Sequence, residues 1–247
     1  MTISVIIPSR LQGITAEEQQ RLWLERALES VRKQTVYSQE SVEIIVGVDP
    51  DAQLPKQIPG ITLVHAARPG QPQAVNAATG AASGEILAFL EDDDLWEPRR
   101  LEYGLACLER CDFVTSNQLE VSEDGTLVRI MDYPTPSGWL LRRETWEELG
   151  GFDETLRFHV DMEYLGRVNA RNLRRIHLIE AGAPKRHGLN RIALCAELVN
   201  TEEADPLVIR TVNSGGGMSL ILKDEKARRQ SIREFRLMWE QYGHSPW

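Results

Sequence analysis

Four consecutive carboxylates, Glu91-Asp92-Asp93-Asp94, follow directly on the apolar run Ile86-Leu87-Ala88-Phe89-Leu90. A run of that length and composition predicts a buried strand. In open α/β sheets, ligands bind just beyond the carboxyl ends of strands. Acids crowded at such a point repel one another unless a cation offsets them, and hard cations such as Mg²⁺ or Mn²⁺ prefer carboxylate oxygens. A divalent ion held there is placed to bind a diphosphate. The plainer alternative is an acidic turn that caps a helix opening at Pro98.

Two further strand ends carry polar groups. Pro8-Ser9-Arg10 closes the first β-rich run and Asp49 closes the second. Asp49 could accept a hydrogen bond from a base N–H, or simply start an Asp-Pro turn. Arg68-Pro69-Gly70 leads into an Ala-rich helix carrying Ala74 and Asn76. There Gly70 lets the loop turn, Ala74 lets the helix sit close to the sheet, and Asn76 could tie neighbouring loops. Arg68 could meet a phosphate or stay solvated. Further on, Lys185-Arg186-His187-Gly188 and Arg191 form a basic cluster that could clamp a diphosphate, with the His187 imidazole completing a metal shell; a solvated loop is the alternative. Trp96, Trp139, Trp146 and Trp239 read as core or capping residues, Trp139 being the one that could instead stack on a sugar.

The elements that must position these groups alternate between strand and helix. Thr2–Pro8, Val42–Val48, Ile61–His65 and Glu85–Leu90 read as strands; 17–34, 71–82 and 98–109 read as helices. That alternation predicts a mostly parallel sheet with right-handed crossovers. In the second half, Phe113–Val121 and Leu127–Met131 flank a Ser-Glu-Asp-Gly turn and predict a hairpin. Helices follow over 144–149 and 161–170, a strand over 175–179, a Gly-rich loop over 213–217 that reads as a lid or connector, and a charged amphipathic helix over 223–241.

Composition narrows the classes. The 247 residues are 42% hydrophobic and 26% charged, enough for one large α/β domain. A net charge of −9 argues against non-specific nucleic-acid binding. Cys107, Cys111 and Cys195 show no metal-type pairing, so a reduced, cytoplasmic setting is the simplest expectation. No apolar run reaches membrane-spanning length. Peripheral contact with the inner face of a membrane stays open, as does a homodimer.

Taken together, Val5-Ile6-Ile7-Pro8, Glu43-Ile44-Ile45-Val46 with Asp49, Gly70-x-x-x-Ala74-x-Asn76, and Ser83-Gly84-Glu85 leading to Glu91-Asp92-Asp93-Asp94-Leu95-Trp96-Glu97-Pro98 resemble family 2 glycosyltransferases. The resemblance continues through Leu149-Gly150-Gly151-Phe152-Asp153-Glu154 to Asp161 and covers roughly residues 1–185. It implies an α/β GT-A fold, a Rossmann-like nucleotide-diphospho-sugar transferase architecture with a mostly parallel central sheet and a helical C-terminal extension. The implied boundaries are a domain over 1–200, with a nucleotide-sugar half to 110 and an acceptor half from 111, and an extension over 201–247.

The resemblance also implies roles. Pro8 and Ser9 would line the nucleotide pocket, Asp49 would contact the base, and Asp92 would lie near the ribose. Asp93 would ligate Mn²⁺ or Mg²⁺, and Asp161 would take the acceptor's proton. The implied activity is inverting, metal-dependent, non-processive transfer from a nucleotide-sugar donor, a UDP-sugar above GDP or dTDP, to a carbohydrate, lipid-linked or small-molecule acceptor. The setting would be assembly of a bacterial glycan or glycosylated metabolite. The chain departs from the pattern at Glu91, Val48 and Val160, the last leaving Glu163 as the nearest replacement acid. Two alternatives follow: an inactive GT-A-like binding or scaffold protein, and a nucleotidyltransferase. The second lacks its Gly-rich triphosphate loop, since Leu11-Gln12-Gly13 is glycine-poor.

Overall fold

The computed structural model describes residues 1–11, 17–53, 57–131, 133–180, 199–204, 208–212 and 217–243. Strands β1 (Thr2–Ser9), β2 (Ser41–Val48), β3 (Thr62–His65) and β4 (Ile86–Phe89) pair in parallel in the order β3-β2-β1-β4. Strands β1 and β4 and the second half of β2 are buried on both faces, as their unbroken apolar runs require, whereas β3 is the partly exposed edge strand. The sheet continues through β9 (Leu140–Arg142), β6 (Phe113–Ser116), β10 (Arg175–Glu180) and β11 (Val199–Ala204). Only β9 runs antiparallel to its neighbours in this sheet. The mixed α/β, mostly parallel expectation holds.

Helices cover both faces. Helices α1 (Glu17–Arg32) and α3 (Arg100–Leu108) pack over Ile3, Val5 and Ile7. Helices α2 (Gln71–Ala81), α4 (Arg143–Leu149) and α5 (Val160–Ala170) pack over Ile6, Leu87 and Phe89. The sheet and α2 meet closely at Gly47, where a β-carbon would collide with the Ala74 carbonyl oxygen. Small residues on both sides set this separation, as the Ala-rich helix suggested.

A second sheet has the order β5-β12-β7-β8, formed by Leu95–Trp96, Val208–Val212, Gln118–Ser122 and Leu127–Met131. The expected single strand over Phe113–Val121 therefore divides between the two sheets. The break falls at Asn117, whose backbone N–H donates to the Leu178 carbonyl. The expected 223–241 helix forms as α7 (Glu225–Tyr242), opened by the Asp224 side chain, which accepts from Ala227 N at 2.7 Å; a separate short helix, α6 (Gly217–Lys223), precedes it. Gly217 opens α6, while 213–216 lie outside the described residues. Strands β11 and β12 run past residue 200 and join both sheets, so the sheets do not stop at the expected domain boundary.

Trp139 takes the core role expected of it, and the sugar-platform alternative falls. It is 0% exposed, its indole N–H donates to the Pro134 carbonyl at 2.8 Å, and its ring sits among Phe89, Phe113, Phe152 and Tyr164. It is the centre of an aromatic core and has no face for a sugar. Trp139→Ala should lower unfolding free energy by about 3–5 kcal/mol, read by urea denaturation.

Candidate active site

Strands β1 and β2 end in register, Ser9 opposite Val48. The loops beyond them enclose a cavity of about 390 Å³ lined by Arg10, Leu11, Asp49, Asp51 and Pro69, among others. Asp49 is held by the Gly70 N–H, which donates to Oδ1 at 2.8 Å; the backbone at Gly70 has φ 138°, where a side chain would be strained. Pro8 and Ser9 precede this cavity on β1 and are not among its lining residues. Ser9 instead donates to Asp92 Oδ2 at 2.6 Å, which joins the cavity's strand to the acidic turn.

The acids after β4 are each engaged differently. Gln71 donates to Glu91 Oε1 at 2.6 Å. Ser137 donates to Asp94 Oδ2 at 2.6 Å, and the Thr211 N–H donates to Oδ1 at 3.1 Å. Ser137 belongs to a 3-10 turn, Pro136–Gly138, that is pinned by the Trp96 indole N–H at 2.7 Å and by Arg100 Nη2 at 2.6 Å. Oxygens of Glu91, Asp93 and Asp94 lie within 4.8 Å of one another, while Asp92 is turned to Ser9.

Such crowding disfavours ionisation. Burial is the main cause that lifts Asp92 to about 6 and Asp94 to about 8, and Glu91 adds to both. Asp93 is raised well above its usual value, first by burial and then by Asp94, Asp92 and Glu91. Arg210 of β12 opposes this. Burial works against its own charge, but Glu91, Asp94 and Glu120 outweigh that and raise its pKa. It reaches Glu120 at 2.7 Å.

The segment expected to face an acceptor is the loop between α4 and α5. Gly150 turns with φ 81°, and Arg167 donates to the carbonyls of Leu149, Gly150 and Gly151 at 2.8, 3.0 and 2.8 Å. Asp161 lies in the first turn of α5, and its Oδ1 accepts from Met162 N at 2.8 Å. Burial raises its pKa, while the Tyr133 phenol beside it and the Met162 N–H pull the other way. Just before α5, the buried Glu234 carboxylate of α7 accepts from the backbone N–H groups of Arg157, Phe158 and His159 at 3.1, 2.8 and 3.3 Å.

One expectation is met here and two change. Asn76 ties loops as the sequence suggested, and it is not among the residues lining the Arg10–Asp49 cavity, where a nucleotide contact was also expected of it. Its amide donates to Phe152 O and Glu154, and its oxygen accepts from Phe152 N at 2.8 Å, so it ties two loops. Arg68 is exposed and ion-paired with Glu154 at 2.8 Å. Glu163 does not replace the acid absent at Val160, because it is buried against Arg167 at 2.6 Å. Lys185, Arg186, His187 and Arg191 lie outside the described residues.

A profile described as "Glycosyl transferase family 2" matches residues 4–160. The chain belongs to glycosyl transferase family 2. Among curated relatives, an uncharacterized glycosyltransferase of Nostoc sp. is 35% identical over 101 residues, 37% of this chain and 30% of that protein. The uncharacterized glycosyltransferase YwdF of Bacillus subtilis is 26% identical over 159 residues, 56% of this chain and 59% of that protein. The matched stretches thus span less than two thirds of either relative. Among solved structures, S. aureus TarS 1-349 in complex with UDP aligns with TM-score 0.59 at 16% identity, over 87% of this chain and 61% of that one. The UDP-GlcNAc complex gives TM-score 0.59 at 18% identity, over 89% and 61%. At that identity the likeness establishes a shared GT-A-type fold.

The acid cluster of this family 2 chain suits a divalent cation. Glu91, Asp93 and Asp94 offer hard oxygen donors that crowd one another, and Asp94 is already oriented by Ser137 and Thr211.

Several supporting residues escape a motif search: Arg210, Ser137, Gln71 and Glu234. Only Arg210 had a signal, the alternation Val208-Ile209-Arg210-Thr211-Val212.

The raised pKa of Asp93 has a direct consequence for stability. The folded state holds a proton that the unfolded chain has already released, so stability falls as pH rises above the unfolded value. With chelator present, Asp93→Asn should therefore raise the melting temperature more at pH 8 than at pH 5, measured by calorimetry.

Proposed function

We propose that this chain transfers a sugar from a UDP-sugar to an acceptor hydroxyl in one non-processive, inverting step, with Mg²⁺ or Mn²⁺ as cofactor. The observation that carries the reading is the convergence of Glu91, Asp93 and Asp94 oxygens within 4.8 Å, at the same sheet edge as the Arg10–Asp49 cavity. The nucleotide choice is supported by TarS, whose crystal structures include complexes with UDP and UDP-GlcNAc.

In this reading Asp49 accepts from the base and Asp92 from the ribose. Glu91 and Asp93 would hold the cation, which when bound supplies Lewis-acid stabilisation of a leaving diphosphate. Asp161 takes the proton of the acceptor hydroxyl as its oxygen bonds to the anomeric carbon. The anomeric carbon–oxygen bond breaks on the opposite face, and its electron pair leaves with the diphosphate. Burial makes Asp161 a stronger base than an exposed carboxylate. The acceptor belongs to a bacterial glycan or glycosylated metabolite.

Asp161→Asn should lower UDP release from a UDP-sugar, with water as acceptor, by roughly 10²–10⁴-fold, and leave UDP binding unchanged. UDP with Mn²⁺ should raise the melting temperature of the native protein and not of Asp93→Asn. If no nucleotide shifts the melting point with either metal, the scaffold reading replaces this one.

A further inference from the structure

Exposed apolar surface is concentrated at one place. Of the nine large exposed apolar side chains among the described residues, Leu222, Ile232, Phe235, Leu237 and Trp239 all lie on α6 and α7. On α7, Ile232, Phe235 and Trp239 are spaced three and four residues apart and form one stripe. They are 48%, 40% and 51% exposed, and the Phe235 and Trp239 rings are 6.3 Å apart. The helix packs mainly through a different face, Ala227, Ser231, Glu234 and Met238, with Phe235 of the stripe also meeting the His159 ring at one edge.

The same helix is basic in an acidic chain. It carries Lys226, Arg228, Arg229, Arg233 and Arg236 against Glu225, Glu234 and Glu240, while the whole chain has a net charge of −9. Glu225 pairs with Arg229, and Glu234 is buried beneath three backbone N–H groups. Arg228, Arg233 and Arg236 have no acidic partner among the described residues. Arg228 and Arg236 each stand one turn from Ile232, so cations border the apolar stripe.

We propose that this face of α7 docks the protein on an anionic lipid bilayer. An aromatic and aliphatic stripe bordered by arginines is the pattern of a helix that lies in the headgroup plane. The local positive charge supplies the attraction that the rest of the chain would oppose. A second copy fits less well, because a twofold contact through this stripe would set its arginines against themselves.

Docking here would bring the bilayer to the acceptor side. The Phe235 ring lies 5.8 Å from that of His159, and His159 Nε2 is 2.9 Å from Ser231 Oγ, two residues before Asp161. The acceptor is then a lipid-borne hydroxyl. That last step rests on the transferase reading; the docking itself does not.

The test is co-sedimentation with vesicles of phosphatidylcholine alone and of phosphatidylcholine with phosphatidylglycerol at roughly 3:1. The protein should pellet with the mixed vesicles only, and be released by salt. Phe235→Ser with Trp239→Ser should weaken binding by about tenfold or more, as expected for lost apolar burial. Arg228→Gln with Arg236→Gln should do so by about tenfold while flattening the salt dependence. Both pairs should keep the native melting temperature. The proposal is overturned if the protein stays in the supernatant with both vesicle types, if neutral vesicles bind it equally, or if sedimentation velocity shows self-association that the Phe235 and Trp239 substitutions abolish. Because pelleting needs no turnover, its failure leaves the transferase reading standing, and a failed UDP-release assay leaves docking standing.

Discussion

Mutual repulsion among the carboxylates beyond β4 is the constraint around which the rest of the site is arranged. Burial raises the pKa of Asp92, Asp93 and Asp94, Glu91 adds to all three, and Asp92 and Asp94 add to Asp93. The fold answers with donors from separate elements. Ser9 comes from the end of β1, Gln71 from the start of α2, Ser137 from the 3-10 turn and the Thr211 N–H from β12. Arg210 adds a positive charge from the second sheet. Each donor holds one carboxylate in place without removing the excess negative charge, which leaves the cluster suited to a cation.

The Asp161 side of the site is anchored by a different device. Asn76 and Arg167 hold the Gly150-Gly151-Phe152 segment by its backbone, and Glu234 holds the three residues before α5. Tyr242 packs on Gly166 and its hydroxyl reaches Glu163 at 3.1 Å. Helix α7 is therefore part of what orients Asp161, and the helical C-terminal segment is structurally continuous with the site.

Much of the first half was legible because its signals are local. The β1, β2 and β4 runs, the small residues of α2 and the acidic turn each announce themselves over a few residues. The same holds for Asp49, Asp92, Asp93 and Asp161 as candidates. Long-range pairing was not legible. β9 is three residues long, too short for any periodicity, and β12 finds β7 across ninety positions of sequence, as the Arg210–Glu120 pair shows. Asn76 was legible as a loop tie but its partner Phe152 was not, and Arg68 stayed open to a phosphate because Glu154 lies far along the chain. For Trp139 the sugar-platform alternative stayed open because a sequence does not reveal which side of a β-strand junction faces the core.

Calorimetric titration of Mn²⁺ into metal-free protein at neutral pH, in two buffers of different ionisation enthalpy, tests the central claim most directly. If the acids beyond β4 hold protons through crowding, a cation must displace them. Binding accompanied by net proton release to the buffer is the predicted result. Absence of binding would contradict a shared cation site and make the cluster a structural turn, and binding with no difference between the two buffers would contradict the proton-holding state of the acids.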